Sequence, residues 1–367
     1  MKHSLRFPAM RGYMGKRQYF STLMPLNLIP KFFTFRDYTD IPPEDREQRK
    51  LNTNRVPEIA RYILENEEGW LFSSITASYK VTGELMDFVP FSENDPDIGY
   101  LEVDPSIVNF IINDGQHRAS AIKEALPSNS ALREESISVL LFPYEKLSRV
   151  QQMFTDLNKN VVKPSKSLNI LFDHRDPVAE AVRVAVEQVE VFKGLVDKDA
   201  QSLAVRSEYL FTLTSIYDAT DELLSYRERE DIAPKEATTE IVEFWNAVAD
   251  FIPDWGKVKQ HKITSQDLRH RKICAHSVVL RAIGGIGGEL KKDLPKGDTG
   301  WKAPLAGLRD IDWRKDNDEW DSVCIVANSV VSNRQARVAT KAHLKRKLGL
   351  NLSDVEKVTI GNSASAA

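Results

Sequence analysis

The fold of the first half of the chain is decided by Ser106-Ile107-Val108-Asn109-Phe110-Ile111-Ile112-Asn113-Asp114-Gly115-Gln116-His117-Arg118. The apolar, β-branched run at 106–112 predicts a buried strand. Asn113-Asp114-Gly115 predicts a turn, in which Asp114 is placed to cap the element that follows. From 116 to 126 the apolar residues fall on one helical face, so this stretch predicts a strand, a turn and a helix in succession.

The surrounding sequence predicts further strands and helices. A buried strand at 137–142 follows the motif helix, and this close succession of strand, helix and strand predicts a βαβ unit. The opening of the chain, to about Tyr38, mixes aromatic, basic and proline residues and favours short extended segments. The other predicted elements of this half are strands at 70–79 and 88–91 and helices at 57–66 and 144–157.

After about Asp176 helical periodicity dominates the sequence. We predict helices at 178–192, 207–217, 238–251, 265–283, 319–331 and 334–348. Gly284-Gly285-Ile286-Gly287-Gly288 is predicted to break a helix and form a loop. The chain is therefore predicted to be an α+β protein, with a mixed α/β domain at 1–175, a mainly helical C-terminal domain at 176–360 and a disordered tail at 361–367.

The composition of the 367 residues is that of an ordinary folded protein, with 42% hydrophobic and 28% charged residues. No apolar run reaches the length of a membrane span, and the basic N-terminus lacks the apolar core of a secretory signal. Cys274 and Cys324 have no CxxC partner and are expected to be reduced core residues. These features predict a cytoplasmic protein without membrane contact.

The net charge is only −3, but the charges are separated along the chain. Strongly basic segments occur at 257–292 and 334–347, and such separation is able to produce the basic face that DNA binding requires. An ordinary solvated helix end is the alternative for the second segment, since cations suit a helix C-terminus. The predicted DNA contacts are Arg334, Arg337, Lys341, Lys345, Arg346 and Lys347 on one helix, and Arg269, Arg271 and Lys272 in the other segment.

The motif at 114–118 is predicted to bind phosphate. A helix N-terminus offers free N–H groups and the positive end of the helix dipole. Gly115 permits close approach of the backbone, and Arg118 carries a planar fork of donors suited to phosphate oxygens. His117 is able to donate to phosphate or to move a proton. A turn with a purely structural role is the alternative.

Residues beyond the motif extend this site. We predict that Asp156 and Asn158, at the end of the helix that follows the second strand, approach His117 or Arg118; a helix end rich in turn formers is the alternative. The predicted phosphate-binding set is Asp114, Gly115, Gln116, His117, Arg118 and Asn158. Possible metal ligands are Asp114, His117, Asp173 and His174, but no spacing is diagnostic and no metal is predicted. A Ser-His-Asp hydrolase is disfavoured because no nucleophile elbow is present.

The motif and its surroundings resemble the DndB family of DGQHR-domain proteins. The resemblance rests on Asp114-Gly115-Gln116-His117-Arg118, on Ala119-Ser120-Ala121-Ile122 after it, and on Phe154-Thr155-Asp156-Leu157-Asn158-Lys159-Asn160. Phe7-Pro8-Ala9-Met10-Arg11-Gly12 and Asn54-Arg55-Val56-Pro57-Glu58-Ile59 also match. The clear part of the resemblance covers about the first half of the chain.

The resemblance implies a ParB/sulfiredoxin-like N-terminal domain and a role in DNA phosphorothioation, in which sulfur replaces a non-bridging phosphate oxygen. It implies a DNA-binding negative regulator, a repressor of the modification gene cluster, located at the bacterial nucleoid. Its implied partners are double-stranded promoter DNA, other phosphorothioation proteins and a second copy of the chain. In related turns a glycine and an arginine contact nucleotide phosphate, which corresponds here to Gly115 and Arg118.

The alternative is a ParB-like nucleotide hydrolase or a DNA-nicking enzyme. In that case Asp114 or His117 would activate water, and Arg118 would stabilise phosphoryl charge. The cofactor of such an enzyme would be a nucleoside triphosphate with Mg, whereas the regulator hypothesis requires none. A third hypothesis is an adaptor that acts through protein contacts alone. Gln116-His117 departs from the partition-protein pattern, so the nucleotide and its hydrolysis stay open.

Overall fold

A computed structural model of the protein describes residues 4–33, 51–80, 86–104, 108–159, 163–292, 294–295 and 297–364. Predicted features at 34–38, 106–107 and 365–367 lie outside these described residues. The chain divides into two units, residues 1–162 and 163–367. Strands form a mixed sheet in the first unit and helices dominate the second, so the predicted α+β class is confirmed. No helix in the described part of the chain combines the length and the apolar character that a membrane span requires.

The described residues of the first unit form one mixed sheet. Its strands are β1 Leu5–Met14, β2 Arg17–Pro25, β3 Ile75–Lys80, β4 Met86–Pro90, β5 Ile98–Val103, β6 Asn109–Asp114 and β7 Ser136–Pro143. They follow the order β4-β5-β1-β2-β7-β3-β6, and neighbouring strands are antiparallel except for β3 and β7. Because β6 stands at one end of this order, the turn that follows it opens at the edge of the sheet.

The strand order corrects the predicted βαβ unit. β7 runs parallel to β3, and β3 runs antiparallel to β6. β6 and β7 are therefore antiparallel and are separated by β3, whereas a βαβ unit joins parallel strands. The prediction was wrong because β3 comes earlier in the chain and occupies the position between them, which local periodicity does not reveal.

Helix packing in the first unit brings two helix starts together. The helices are α1 Ile29–Phe32, α2 Val56–Glu65, α3 Gln116–Ala125 and α4 Leu147–Lys159. On α3 the small residues Ala119, Ala121 and Ala125 are fully buried, and α2 packs against this helix. Small side chains allow the two helices to approach closely, and the first turns of both then line one cleft.

The second unit is built mainly from helices. They are α5 Lys166–Phe172, α6 Pro177–Gln188, α7 Leu213–Leu223, α8 Pro234–Phe251, α9 Pro253–Lys259, α10 Ser265–Arg271, α11 Ser277–Lys291, α12 Lys302–Leu305, α13 Arg334–Lys347 and α14 Asp354–Ala364. Two short strand pairs are β8 Val196–Asp197 with β9 Phe211–Thr212, and β10 Ile325–Val326 with β11 Ser329–Val330. α5 packs against α6 and α7, so it belongs to this unit, although the predicted boundary at 175 places it in the first domain.

The glycine-rich segment 284–288 is helical, which corrects the predicted loop. α11 continues through the whole segment. A Cβ at Gly284 would lie 1.9 Å from the carbonyl oxygen of Ala219, and one at Gly288 would lie 2.7 Å from that of Leu223. Both carbonyl groups belong to α7. Glycine costs about 1 kcal/mol in a helix, and here it permits direct contact between the two helix backbones.

Three further predictions for the second unit were wrong in part. The predicted helix at 319–331 is replaced by the end of a 3-10 turn, Asp318–Trp320, and by a tight hairpin of β10 and β11, whose turn residues Ala327 and Asn328 have φ of 47° and 60°. The stretch 265–283 holds two helices, α10 and α11, rather than one. Residues up to Ala364 of the predicted disordered tail belong to α14. In the first two cases turn geometry outweighs the local apolar pattern.

Candidate functional site

The turn between β6 and α3 requires glycine at position 115. Gly115 has φ 101° and ψ 15°, in the left-handed region that residues with a Cβ rarely adopt. A Cβ at this position would also lie 3.2 Å from Cγ1 of Ile75. No described side chain caps the first turn of α3. The opening N–H groups of this helix, together with the positive end of its dipole, therefore suit an anion.

The first turns of α2 and α3 and the end of α4 enclose a cleft of about 250 Å³, which we call the motif cleft. The residues that the sequence predicted to bind phosphate all line it: Asp114, Gly115, Gln116, His117, Arg118 and Asn158. The other lining residues are Arg55, Ile59, Asn113 and Phe154. The fold therefore gathers the whole predicted set at one place.

The guanidinium of Arg118 is held by the protein itself. Its Nη2 group forms an ion pair with Oδ2 of Asp114. Its Nη1 group donates to the carbonyl oxygen of Ser74 at 2.8 Å and to the carbonyl and hydroxyl oxygens of Ser73. These contacts tie the start of α3 to the chain that enters β3. Arg118 is thus a positioning residue in this conformation, and it does not present the open fork of donors that was expected.

Arg55 is a cation of the motif cleft that the sequence analysis missed. It ends the short 3-10 turn Thr53–Arg55 directly before α2 and lines the cleft. Its side chain is exposed, and it forms no ion pair with another residue that the structure describes. The pattern Asn54-Arg55-Val56-Pro57 predicts a helix start but does not by itself predict a binding role for Arg55. The family resemblance of this segment was the signal that could have placed Arg55 at the site.

Asn113 adds a buried donor without an acceptor. Its side chain is only 3% exposed, and its Oδ1 atom accepts a hydrogen bond of 3.0 Å from Oγ of Ser78. Its Nδ2 group has no hydrogen-bond partner in the described part of the chain. A buried donor left unpaired costs about 1–3 kcal/mol. An acceptor atom in the motif cleft, such as a phosphate oxygen, would offset this cost.

His117 and Asn158 meet at the motif cleft, whereas Asp156 does not line it. Nε2 of His117 accepts from the backbone N–H of Asn52 at 3.2 Å, which places the proton of a neutral ring on Nδ1. Asp156 instead accepts from Gln152 on the exposed side of α4. Since the Asp114 carboxylate is paired with Arg118, the cleft offers donors for binding an anion rather than a ready general base.

One lysine of the predicted DNA-binding stripe on α13, Lys345, is buried. Lys345 is 5% exposed and pairs with Glu289 of α11 and Glu356 of α14, each at 2.8 Å. Burial opposes its charge, but the hydrogen bonds to these two carboxylates raise the pKa of Lys345. Lys341 pairs with Glu289 at 2.6 Å. Because these contacts join three helices, Lys345 is not available to DNA in this structure, which corrects its predicted role.

The arginines of the same helix behave differently. Arg334, Arg337 and Arg346 form no ion pair with any residue of the described ranges, and Arg334 and Arg346 are exposed. Lys347 pairs with Glu319 and remains partly exposed. The cations of α13 that are free to meet a phosphate backbone are therefore its arginines.

The second predicted DNA surface, at 269–272, also contains both cations that bind other parts of the protein and a cation that is exposed. Arg269 donates to the carbonyl oxygen of Ser207 at 2.7 Å, and Lys272 pairs with Asp254 at 2.5 Å. Arg271 is exposed and forms no ion pair with a described residue. The structure thus engages Arg269 and Lys272 within the protein and leaves Arg271 exposed.

The described residues contain no arrangement of side chains for binding a metal ion or for thiol chemistry. No three His, Cys, Asp or Glu side chains among them group as a metal ion would require. Of the possible ligands, Asp114 and His117 belong to the first unit, while Asp173 and His174 belong to the second. Both cysteines are free and buried, which agrees with the core role predicted for them. Burial raises the pKa of the Cys274 thiol to about 12, so it is un-ionised at neutral pH.

The fold and the motif cleft define an α+β protein in which a glycine turn at the sheet edge leads into the uncapped start of α3. A model of the DndB family, described as DNA-sulfur modification-associated, matches residues 7–351. The match covers most of the chain, which therefore belongs to the DndB family and takes part in DNA sulfur modification. A search of the curated proteins and a search of the solved structures each found no match. The ParB/sulfiredoxin-like fold accordingly stays a prediction.

Proposed function

We propose that the protein binds double-stranded DNA at the promoter of the phosphorothioation gene cluster and acts there as a negative regulator. It would be an accessory protein of the modification system rather than its sulfur-transferring enzyme. Family membership supports the link to DNA sulfur modification. DNA binding, the homodimer and contacts with other phosphorothioation proteins are parts of the proposal that rest on the family resemblance and on the charges of α13.

One observation supports DNA binding most directly. Arg334 and Arg337 lie in the first turn of α13, three residues apart and hence on one side of the helix. A cation in this position opposes the helix dipole, at a cost of about 0.3–1 kcal/mol. No described acid pairs with either arginine to offset this cost. An external polyanion such as the DNA backbone would do so.

Promoter binding is tested by fluorescence anisotropy with a labelled promoter duplex and a scrambled duplex over a salt series. Wild type is expected to prefer the promoter, with affinity that falls steeply as salt rises. Arg334→Ala and Arg337→Ala should each make the slope of log affinity against log salt shallower by about one, because each removes a phosphate contact.

Lys341→Ala is the matched control, since it removes one charge from the same helix at a residue that already pairs with Glu289. Its salt slope should equal that of wild type. The regulator hypothesis is rejected if wild type shows no preference for the promoter at low salt. An equal loss of slope in Lys341→Ala would reject the assignment of the two arginines.

A nucleotide hydrolase or DNA-nicking activity at the motif cleft is the second candidate. The unpaired Nδ2 group of Asn113 and the exposed Arg55 favour it, because both suit a phosphoryl group. If the cleft turns over nucleoside triphosphate with Mg, Arg55→Ala should lower the rate about 100-fold, as the loss of one transition-state donor does. His117→Ala should lower it as well. The same background rate in wild type and both variants would exclude hydrolysis.

A further inference from the structure

A second cleft, of about 400 Å³, lies within the second unit and holds cations without carboxylates. Arg269 of α10, Lys315, Thr212, and His276 and Ser277 at the start of α11 are among the residues that line it. No Asp or Glu occurs among the described residues that line it. We call it the Arg269–Lys315 cleft. The sign of its charged residues, Arg269 and Lys315, suits an anion.

Arg269 is held in place by backbone carbonyl groups rather than by an acid. It donates to the carbonyl oxygens of Ser207 at 2.7 Å, Ala204 at 3.2 Å and Val205 at 3.3 Å. Its Nε atom is buried and has no hydrogen-bond partner in the described ranges. Burial lowers the pKa of Arg269. Carbonyl dipoles orient the guanidinium without neutralising it, so a positive charge stays at the cleft.

Lys315 brings a second charge to the same cleft. It is half-buried and forms no ion pair with a described residue. Burial and the charge of Arg269 lower the pKa of Lys315. The neighbouring Lys272, in contrast, pairs with Asp254 at 2.5 Å. Two like charges held together without a carboxylate are unfavourable for the folded state, and an anion bound between them would remove that cost.

The start of α11 adds to the positive character of this cleft. Its N-cap residue is His276, and no side chain caps the helix. Burial and the charge of Lys315 lower the pKa of His276 to about 4, so the ring is neutral at pH 7. Nε2 of His276 lies 3.1 Å from the carbonyl oxygen of Arg269, to which it is able to donate. The uncapped N–H groups of a 15-residue helix thus accompany the two cations.

We propose that the Arg269–Lys315 cleft binds the phosphoryl group of a small phosphorylated molecule of mononucleotide size. Two cations and uncapped amides match the charge and the acceptor oxygens of a phosphoryl dianion. Ligand pockets span about 300–1,000 Å³, so this cleft admits a mononucleotide but not a duplex. The proposal does not depend on promoter binding or on the motif cleft, because its residues form a separate site in the second unit.

The test is isothermal titration of the full chain with inorganic phosphate and with AMP, in buffers of matched ionic strength set with chloride. Wild type is expected to bind both probes saturably. Lys315→Ala should weaken phosphate binding about tenfold, as the loss of one charge-assisted hydrogen bond does, and Lys315→Arg should restore most of it. Arg271→Ala is the matched control, since it removes an exposed cation from α10 that does not line the cleft.

The outcomes separate the possible ligands and decide the proposal. Tighter binding of AMP than of phosphate would identify a nucleotide site, and equal binding would identify a site for the phosphoryl group alone. Affinities that are the same in wild type and Lys315→Ala would overturn the proposal, as would the absence of saturation with both probes. Circular dichroism of each variant shows whether its fold is intact, and Lys315→Arg distinguishes a lost charge from a damaged fold.

Discussion

Gly284→Ala is expected to lower the free energy of unfolding by at least about 3 kcal/mol, as severe overpacking does. The added Cβ would lie 1.9 Å from the carbonyl oxygen of Ala219. No side-chain rotation relieves this distance, because the helix backbones fix the positions of both the Cβ and the carbonyl oxygen. α11 would have to move away from α7, which would open the core that both helices share. Urea unfolding followed by circular dichroism measures the change.

Gly285→Ala is the matched control in the same helix. Its Cβ would lie 3.2 Å from Nζ of Lys341, the movable end of a flexible side chain. Alanine also favours the helix by about 1 kcal/mol over glycine, so the stability should stay within about 1 kcal/mol of wild type. If the two variants were equally stable, the close approach of α11 to α7 would be wrong.

Arg118→Ala is expected to lower the free energy of unfolding by about 2–3 kcal/mol. The substitution removes the ion pair with Asp114 and the hydrogen bonds to Ser73 and Ser74. Hydrogen bonds to charged groups contribute about 1.5–3 kcal/mol, and partial exposure of Asp114 reduces the contribution of the ion pair. Denaturant unfolding of the full chain measures this loss.

Arg55→Ala is the control for that variant, because it removes an arginine of the same cleft that has no described ion-pair partner. Its stability should lie within about 0.5 kcal/mol of wild type. The two substitutions therefore distinguish an arginine that positions the turn from one that is proposed to bind a ligand. If Arg118→Ala were as stable as wild type, the positioning role would be wrong. Arg118 would then again be a candidate for binding phosphate through its guanidinium, as the sequence predicts.

The local order of elements around the motif was predictable because it depends on neighbours in the chain. An apolar β-branched run, a turn containing glycine and a helical periodicity each constrain a few consecutive residues, and β6, Gly115 and α3 follow them. The choice of glycine at 115 has the same local origin, since φ of 101° excludes most other residues. The location of the candidate site followed from the same stretch.

The amino-acid sequence by itself thus determined the α+β class, the strand–turn–helix motif and part of the cleft lining, namely residues 114–118 and Asn158. Only the tertiary structure decided which charges are available there and elsewhere: Arg118 donates to Ser73 and Ser74, Lys345 meets Glu289 and Glu356, and Arg55 has no described ion-pair partner. The physical reason is that an ion pair depends on distance in space, and packing brings together residues that no local pattern relates. The glycines of α11 are likewise explained only by the tertiary structure, because the backbone that they approach belongs to a different helix, α7.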